Sequence, residues 1–169
     1  MGDTYRWKSE NVATAEVSEA LGKHPAVNEA IVYGVHVPGH DGRAGCAAVT
    51  LAAGVSPTPS FLRELLHFGL EKLPRYAVPV FIRLTPNFRA MHNNKQEKVP
   101  LKKDGIDLDV IYGPNQDANS AREQGKDVMY WWPGSVGLTS PDSDGEGYEV
   151  FDRKDWEGLK KDIPVTSRL

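Results

Sequence analysis

Lysine side chains crowd the segment NFRAMHNNKQEKVPLKKDG, residues 87–105, and they are the first groups in this chain that could do chemistry. Lys95, Lys98, Lys102 and Lys103 follow a turn-rich stretch. A positioned ammonium group offsets negative charge that develops in a transition state. The alternative is a solvated cluster that keeps this surface hydrated. Charge pattern alone favours the solvated cluster.

The histidines and the cysteine suggest less chemistry. None of the histidines has a second ligand at metal spacing, and no Ser-His-Asp arrangement can be argued; they are His24, His36, His40, His67 and His92. His92 lies near Lys95 and is either a phosphate contact or a plain loop residue. Cys46 sits in the apolar run GCAAVTLA, which predicts a buried small hydrophobe rather than a nucleophile. The sequence predicts no metal site.

Length and charge narrow the class of protein. The chain has 169 residues, a net charge of -3 and a pI near 5.9, which suit one domain or a domain with a long tail. That charge balance gives no overall case for a nucleic-acid partner. No apolar run approaches the roughly 18 residues of a membrane-spanning helix, and the polar start does not resemble a signal peptide.

The last three residues suggest a destination in the cell. Ser167, Arg168 and Leu169 vary the Ser-Lys-Leu address that the peroxisomal import receptor reads. The sequence therefore predicts a peroxisomal protein that meets this receptor through its C-terminal tripeptide.

The elements that must hold these residues alternate between helix and strand. Thr14 is a plausible N-cap of a first helix, which Gly22 and Pro25 end. Two β-rich runs around Pro-Gly and Asp-Gly turns predict a hairpin at residues 27–52. Thr58 caps a second helix with one apolar face, a strand follows over residues 78–84, and VPLKKDGI predicts a short helix or turn. The fold class predicted is α+β, a small mixed sheet with an N-terminal hairpin-like loop and flanking helices.

The character of the chain changes from Gly113. Residues 113–127 and the later stretch PGSVGLTSPDSDGEG are rich in Gly, Pro, Ser and Asp and predict loops. The first of them is predicted to be a loop insertion after a core of residues 1–112. Residues 128–169 predict a short hairpin, VMYWW with YEVF, and a final helix capped by Asp152 that complete the same domain. Trp131, Trp132 and Trp156 are expected to pack the hairpin onto that helix.

Three segments, in order, resemble the C-terminal lid domain of the fatty acid transport proteins, or very-long-chain acyl-CoA synthetases, within the adenylate-forming enzyme superfamily. They are GDTYRWKSENVATAEV, VYGVHVPGHDGRAGCAAV and LPRYAVPVFIRLTPNFRAMHNNKQEKVPLKKDG. The tail is compatible with the family's ending. The match covers most of residues 2–105 and, more loosely, 127–169. It implies one domain of an enzyme whose larger N-terminal AMP-binding domain is its partner.

The resemblance implies a fatty acid–CoA ligase that uses ATP, with magnesium, and coenzyme A as substrates. The acid first displaces pyrophosphate from ATP to give an acyl-adenylate, and the thiol of coenzyme A then displaces AMP. By register with the family motif, Lys95 is the catalytic lysine of the first step, and Lys98, Leu101 and Gly105 match the positions that follow. MHNN stands where the family has Thr-Gly-x-x, which puts the geometry of this loop in question.

A second group of residues is implied in the thioester step. Gly2 and Asp3 match the interdomain hinge, and the loop of Trp7, Lys8, Ser9, Glu10 and Asn11 would line the pantetheine passage. Ser9 replaces a family glycine, and its side chain either narrows the passage or adds a hydroxyl contact. Trp7 is expected to be a packing residue more than a ligand-stacking one. Arg43, His92 and Lys98 are candidate phosphate or coenzyme A contacts, and Arg43 could equally fix its own turn.

Two functions follow. The first is the C-terminal domain of a long- or very-long-chain fatty acyl-CoA synthetase, with coupling to fatty acid uptake as a further expectation. This domain is expected to bind no cofactor and to turn over nothing alone. The alternative is a binding or assembly module that kept the fold and lost the catalysis, which the MHNN and Ser9 departures favour.

Overall fold

The computed structural model describes residues 3–86, 94–136 and 147–161, with residues 94–97 as backbone only. In these ranges the strands are β1 (Thr4–Trp7), β2 (Glu10–Ala13), β3 (Val27–Val35), β4 (Ala44–Leu51), β5 (Phe81–Leu84), β6 (Val128–Trp131) and β7 (Glu149–Val150). The α-helices are α1 (Thr14–Gly22), α2 (Pro59–Lys72), α3 (Asn94–Asp104), α4 (Leu108–Ile111), α5 (Ala118–Glu123) and α6 (Arg153–Lys161). Short 3-10 helices cover Arg75–Ala77 and Pro133–Val136.

The strands form two sheets in the described part of the chain. β1 and β2 make an antiparallel hairpin, and a larger sheet has the order β3-β4-β5-β6-β7. β4 and β5 are parallel, whereas the other neighbours in the larger sheet are antiparallel. A parallel pair needs a crossover connection, which α2 supplies. The α+β prediction with a small mixed sheet is confirmed.

Helix α2 begins as its sequence predicts. The backbone N–H of Phe61 donates to Oγ1 of Thr58 at 3.1 Å, and Pro59 occupies the first helical position. Its buried residues share one face and are Phe61, Leu62, Leu65, Leu66 and Gly69. The amphipathic pattern and the cap therefore agree on where this helix starts and what it buries.

The prediction for the start of α1 is wrong. Thr14 lies inside the helix and Ala13 holds the cap position without a side-chain bond. The hydroxyl of Thr14 donates to the carbonyl oxygen of Asp3 at 3.1 Å, and its N–H donates to the same oxygen at 3.0 Å. The hydroxyl that the local pattern assigns to helix capping is thus used in a long-range hydrogen bond to Asp3.

The segment predicted as a loop insertion, residues 113–127, contains helix α5. Asp117 caps it, since its Oδ1 accepts from the N–H of Ser120 at 2.8 Å. Ala118 and Ala121, three positions apart, are buried. The sequence does not predict this short helix because the segment is rich in turn-forming residues and only two alanines of the helix are buried. Helix α3 is likewise longer than the short helix or turn predicted around Pro100.

The tail adds two strands to the larger sheet, and they form the short hairpin that the sequence predicts. β6 pairs with β5, and β7 pairs with β6 through Tyr130 and Val150. Helix α6 follows Asp152, whose Oδ1 accepts from the N–H of Arg153 at 2.9 Å and of Ala118 at 3.1 Å. The tail is therefore built into the same core as the rest of the domain.

Aromatic and small residues fill the core beneath the sheet. Phe81 stacks on Trp131 with ring centroids 6.2 Å apart, and Phe151 meets Trp131 at 4.9 Å. Cys46 is fully buried, as predicted, and its thiol donates to the hydroxyl of Tyr33 at 3.4 Å. Burial raises the pKa of Cys46 to about 11, so the thiol stays protonated at neutral pH.

Within the described ranges, each helix is too short or too polar to cross a lipid bilayer.

Candidate functional site

The β1–β2 hairpin presents a tight turn built from Lys8 and Ser9. Trp7 pairs with Glu10 across the hairpin, so the turn holds only these two residues. Their φ angles are +51° and +65°, which is the left-handed conformation of a type I′ turn. Glycine is favoured at such positions, and Ser9 adopts this conformation with a side chain present. Both turn residues are exposed and thus free to meet a ligand.

Tyr5 fastens this hairpin to the larger sheet. Gly34 of β3 and Gly45 of β4 face each other in register, and the ring of Tyr5 lies over the pair. A Cβ built on Gly45 would lie 2.3 Å from the hydroxyl oxygen of Tyr5, and one on Gly34 would lie 2.7 Å from its Cβ. The two glycines thus form a slot that fixes where the turn points.

A cavity of about 530 Å³ opens beside the turn. Its walls come from β1, from the β3–β4 loop and from the tail; they are Arg6, Trp7, Lys8, Ser9, His40, Asp41, Gly42, Ser135 and Val136. Trp7 is 3% exposed and lies 5.9 Å from the ring of His40, so it acts as a packing residue at the cavity floor. The volume suits part of a small-molecule ligand.

Positive charge gathers at one side of the turn. Burial and the nearby charge of Arg75 lower the pKa of Lys8. The guanidinium of Arg75 lies 4.5 Å above the ring of Trp132, which holds it in place. Arg6 and Lys8 line the cavity, and Arg75 lies near Lys8, so this side of the turn carries the positive charge that favours an anionic ligand.

Arg43 contacts its own turn, and both of its predicted roles stay predictions. Its Nη1 donates to the carbonyl oxygen of Gly42 at 3.1 Å and lies 3.4 Å from Nδ1 of His36. Its backbone N–H donates to the carbonyl oxygen of Arg6 at 2.7 Å. These contacts join the β3–β4 loop to the hairpin, and the exposed guanidinium remains open to solvent.

Helix α3 carries Lys95 in its first turn. Lys98, one turn later, is not directed to solvent: its Nζ lies 3.2 Å from Oδ2 of Asp3 and donates to Oγ1 of Thr14 at 3.3 Å. Lys102 reaches the same carboxylate oxygen at 3.6 Å. Asp3, the predicted hinge residue, and the helix of the predicted catalytic lysine are therefore in direct contact.

Asp3 responds to these lysines. Burial would raise its pKa, but the hydrogen bond from Lys98 and the charges of Lys102 and Lys98 outweigh burial, and the pKa lies below its ordinary value. Asp3 is thus ionised, and the contact is an ion pair, over the whole neutral range.

Several predicted site residues lie outside the described residues: Gly2, His92, Ser167, Arg168 and Leu169. For Lys95 the backbone position in α3 is described and the side chain is not. Glu10 and Asn11 are exposed on β2, one residue beyond the turn. Within residues 3–86, 94–136 and 147–161, no group of three His, Cys, Asp or Glu side chains is placed to hold a metal ion.

Sequence reasoning misses Arg83 as a structural centre of the site. Its Nε donates to Oδ2 of Asp127 at 2.8 Å, and its Nη2 donates to Oδ2 of Asp104 at 3.1 Å. Asp104 is the last residue of α3, so Arg83 anchors the C-terminal end of that helix to β5. A charged residue inside the buried strand FIRL was the available signal.

The sequence also misses the contribution of the tail to the cavity. Ser135 and Val136, on the second 3-10 helix, line the wall opposite the turn. No local motif marks these residues, because their role depends on how the tail packs after β6.

Comparison with known proteins identifies the domain. Residues 16–95 match the model of the AMP-binding enzyme C-terminal domain. The chain belongs to this family. The match ends at Lys95, so most of α3 and the whole tail lie beyond it.

Relatives of the chain include fatty acid transport proteins, a fatty acid–CoA ligase and a protein named after isopenicillin N. The chain is 37% identical over 94% of its length to the very long-chain fatty acid transport protein of Cochliobolus heterostrophus, of which it covers 21%. It is 39% identical over its full length to isopenicillin N epimerase component 1 of Hapsidospora chrysogena, of which it covers 26%. The chain thus spans about a fifth to a quarter of these relatives.

A solved structure shares the fold. The acyl-CoA synthetase of Brucella canis is 30% identical, with a TM-score of 0.51 over 62% of this chain and 19% of that protein. The chain therefore shares its sequence family with the AMP-binding enzyme C-terminal domain and its fold with part of a solved acyl-CoA synthetase.

Proposed function

We propose that this chain serves as the C-terminal domain of an ATP-dependent ligase that joins a long- or very-long-chain fatty acid to coenzyme A. The observation that carries the proposal is the contact between Asp3 and α3. It joins in one unit the hairpin that faces the cavity and the helix that holds Lys95, which are the two parts that such a ligase needs for its two steps.

In the first step Lys95 would act on the reacting anions. A fatty acid carboxylate attacks the α-phosphorus of ATP and expels pyrophosphate, which brings two negatively charged groups together. An ammonium group placed between them offsets this repulsion as charge shifts in the transition state. Because Lys95 lies in the first turn of α3, its position is set by the contacts of that helix.

In the second step the hairpin would guide coenzyme A. The cations Arg6, Lys8 and Arg75 suit its phosphates, and the narrow turn at Ser9 would approach the pantetheine arm. The thiol then attacks the acyl-adenylate carbonyl and AMP leaves with the bonding electrons. Ser9 adds a hydroxyl where the resemblance implies only backbone.

The domain is proposed to be inactive alone, since the fatty acid and most of the ATP would be held by the N-terminal AMP-binding domain. Purified 169-residue protein should form no acyl-CoA from ATP, coenzyme A and fatty acid. Measurable product in a coupled assay, absent with heat-treated protein, would contradict this part of the proposal.

The test of the catalytic role is pyrophosphate release by the full-length ligase, wild type against Lys95→Ala, with a very-long-chain fatty acid. Loss of a preorganised charge worth about 3 kcal/mol corresponds to a fall of roughly a hundredfold. Lys103→Ala, an equal change of charge on an exposed residue of the same helix, is the matched control and should retain full rate. If Lys95→Ala also retained its rate, the domain would be a non-catalytic binding or assembly module.

The acid substrate has a second candidate. The relative that matches the full length of this chain has a name that refers to isopenicillin N rather than to a fatty acid. The same assay should therefore compare a very-long-chain fatty acid with isopenicillin N. Pyrophosphate release with isopenicillin N alone would replace the fatty acid in the proposal and keep the reaction.

We further propose that the tripeptide Ser167-Arg168-Leu169 directs the protein to peroxisomes, where fatty acid activation would take place. A fluorescent protein fused to the N-terminal side should co-localise with a peroxisomal marker. One extra residue after Leu169 removes the free carboxylate that the receptor reads, and should disperse the signal. Unchanged distribution would refute the assignment.

A further inference from the structure

Lys98 links three separate segments of the chain. Its ammonium group is 3.2 Å from Oδ2 of Asp3 and 3.3 Å from Oγ1 of Thr14, and its side chain is only 19% exposed. A solvated surface lysine would be more exposed and without fixed partners. Lys98 is therefore a structural contact of α3 rather than part of a hydration layer.

Thr14 makes the other end of this contact rigid. Its N–H and its hydroxyl both donate to the carbonyl oxygen of Asp3, at 3.0 and 3.1 Å. Since Thr14 is buried at the start of α1, the backbone of Asp3 is fixed to the core while its carboxylate is fixed to α3. Asp3 leads directly into β1 and hence to the turn at Lys8 and Ser9.

Two short attachments hold α3, besides the longer contact of Lys102 with Asp3 at 3.6 Å. Asp104 ties its C-terminal end to Arg83 in the sheet, at 3.1 Å. Lys98 ties its middle to the N-terminal segment. Positions 95, 98 and 102 recur at three- and four-residue spacing and so share one face of the helix. If the Lys98 attachment is lost, α3 keeps its anchor at Asp104 and the longer contact of Lys102 with Asp3, but its first turn loses the attachment nearest to it.

We propose that Lys98 is a positioning residue: its bonds to Asp3 and Thr14 hold the first turn of α3, and with it Lys95, in register with the segment that leads into the hairpin. This inference rests on the proposed function of Lys95. Because Asp3 also begins the hairpin strand, the contact couples the element of the first step to the element of the second.

The first experiment tests the contact without reference to activity. In the 169-residue protein, carboxyl carbon NMR follows the titration of Asp3 in the wild type, in Lys98→Ala and in Lys103→Ala. The pKa of Asp3 should rise towards its ordinary value in Lys98→Ala and stay unchanged in Lys103→Ala. An unchanged pKa in Lys98→Ala would mean that the contact does not form, which overturns the inference.

The second experiment measures the two partial reactions in the full-length ligase that the proposed function requires. Lys98→Ala should slow pyrophosphate release by about tenfold or more, since a displacement near 1 Å can cost up to about a hundredfold. Thioester formation from supplied acyl-adenylate should fall less than about threefold, because that step does not use Lys95. Lys98→Arg keeps the charge and the reach, and should recover most of the first step.

The outcomes separate the inference from the function beneath it. If Lys98→Ala slows both steps equally, or neither, Lys98 is only structural and the inference is wrong while the function of Lys95 stands. If Lys95→Ala itself leaves pyrophosphate release intact, the proposed function fails and the positioning role fails with it. A double variant Lys98→Ala with Asp3→Asn no slower than Lys98→Ala alone supports the pair as the route of coupling.

Discussion

Replacement of Ser9 by glycine should stabilise the domain, although most substitutions destabilise proteins. Ser9 has a φ of +65° in the two-residue turn of the hairpin. A residue with a Cβ in this left-handed conformation costs about 1–2 kcal/mol relative to its right-handed alternatives. Glycine removes this cost, since the two conformations are nearly equal for it.

The size of the gain is limited by the unfolded chain. Glycine gains conformational freedom there, which offsets about 0.4–1 kcal/mol of the improvement. The free energy of unfolding should therefore rise by about 0.5–1 kcal/mol, which for a chain of this size corresponds to a melting temperature higher by roughly 1–4 °C. Ser9 is exposed, so no packing contact is lost to cancel this gain.

The assay is urea unfolding of the 169-residue protein, followed by far-UV circular dichroism and by tryptophan fluorescence. Ser9→Ala keeps the Cβ and loses the hydroxyl, so it should not stabilise. Ser18→Gly, in the middle of α1, should destabilise by about 0.5–1 kcal/mol because a glycine there only adds flexibility. A fall in stability for Ser9→Gly, or an equal rise for Ser9→Ala, would refute the argument from backbone strain.

Three further predictions concern the framework of the site. Gly45→Ala should lower the free energy of unfolding by about 1–3 kcal/mol, because its methyl group would clash with the hydroxyl end of Tyr5. The control Gly22→Ala has open space around it and should change the free energy of unfolding by no more than about 0.5 kcal/mol. Equal effects of the two variants in urea unfolding would contradict the tight packing of Tyr5 on Gly45. Arg83→Leu should lower the free energy of unfolding by about 2–4 kcal/mol in the same urea experiment, because it leaves the partly buried carboxylates of Asp104 and Asp127 without their partner. A decrease below about 1 kcal/mol would show that solvent takes the place of the guanidinium group. The free energy of unfolding should fall as the pH rises from about 9 to about 11, because the thiol of Cys46 titrates near 9 in the unfolded chain and near 11 in the folded protein. A second test of the burial of Cys46 is its rate of reaction with a thiol reagent at about pH 8, which should be low in the folded protein and high in urea.

The parts of the fold that the sequence predicts well are those with local signals. The cap at Thr58 with Pro59 locates α2, and the turn residues between β3 and β4 locate their hairpin. Helix α5 is hidden because its evidence is one capping aspartate and two alanines in a polar segment. The capping role expected of Thr14 fails for a different reason, since its partner lies eleven residues away and is brought near only by the hairpin.

The candidate site shows the same division. The register of a known family motif predicts Lys95 as the catalytic lysine, and Lys95 lies in the first turn of α3. The turn at Lys8 and Ser9 lies where the resemblance implies a loop. The ion pair of Lys98 with Asp3 spans 95 positions of sequence and has no local signature. The contribution of the tail to the cavity is equally non-local, because it depends on the packing of β6 against β5. The sequence shows which types of residue are present, whereas contacts between residues far apart in the sequence are known only once the fold is known.

The pairing of β6 with β5 means that the unit that folds is larger than the unit that the family comparison recognises. The match ends at Lys95, whereas the strand that covers the outer edge of β5 begins at Val128. A protein trimmed to the matched residues would leave β5 with a row of unpaired N–H and C=O groups beside an apolar surface. Such an edge pairs with strands from other chains, so the trimmed domain should aggregate. The tail therefore prevents aggregation in addition to lining the cavity.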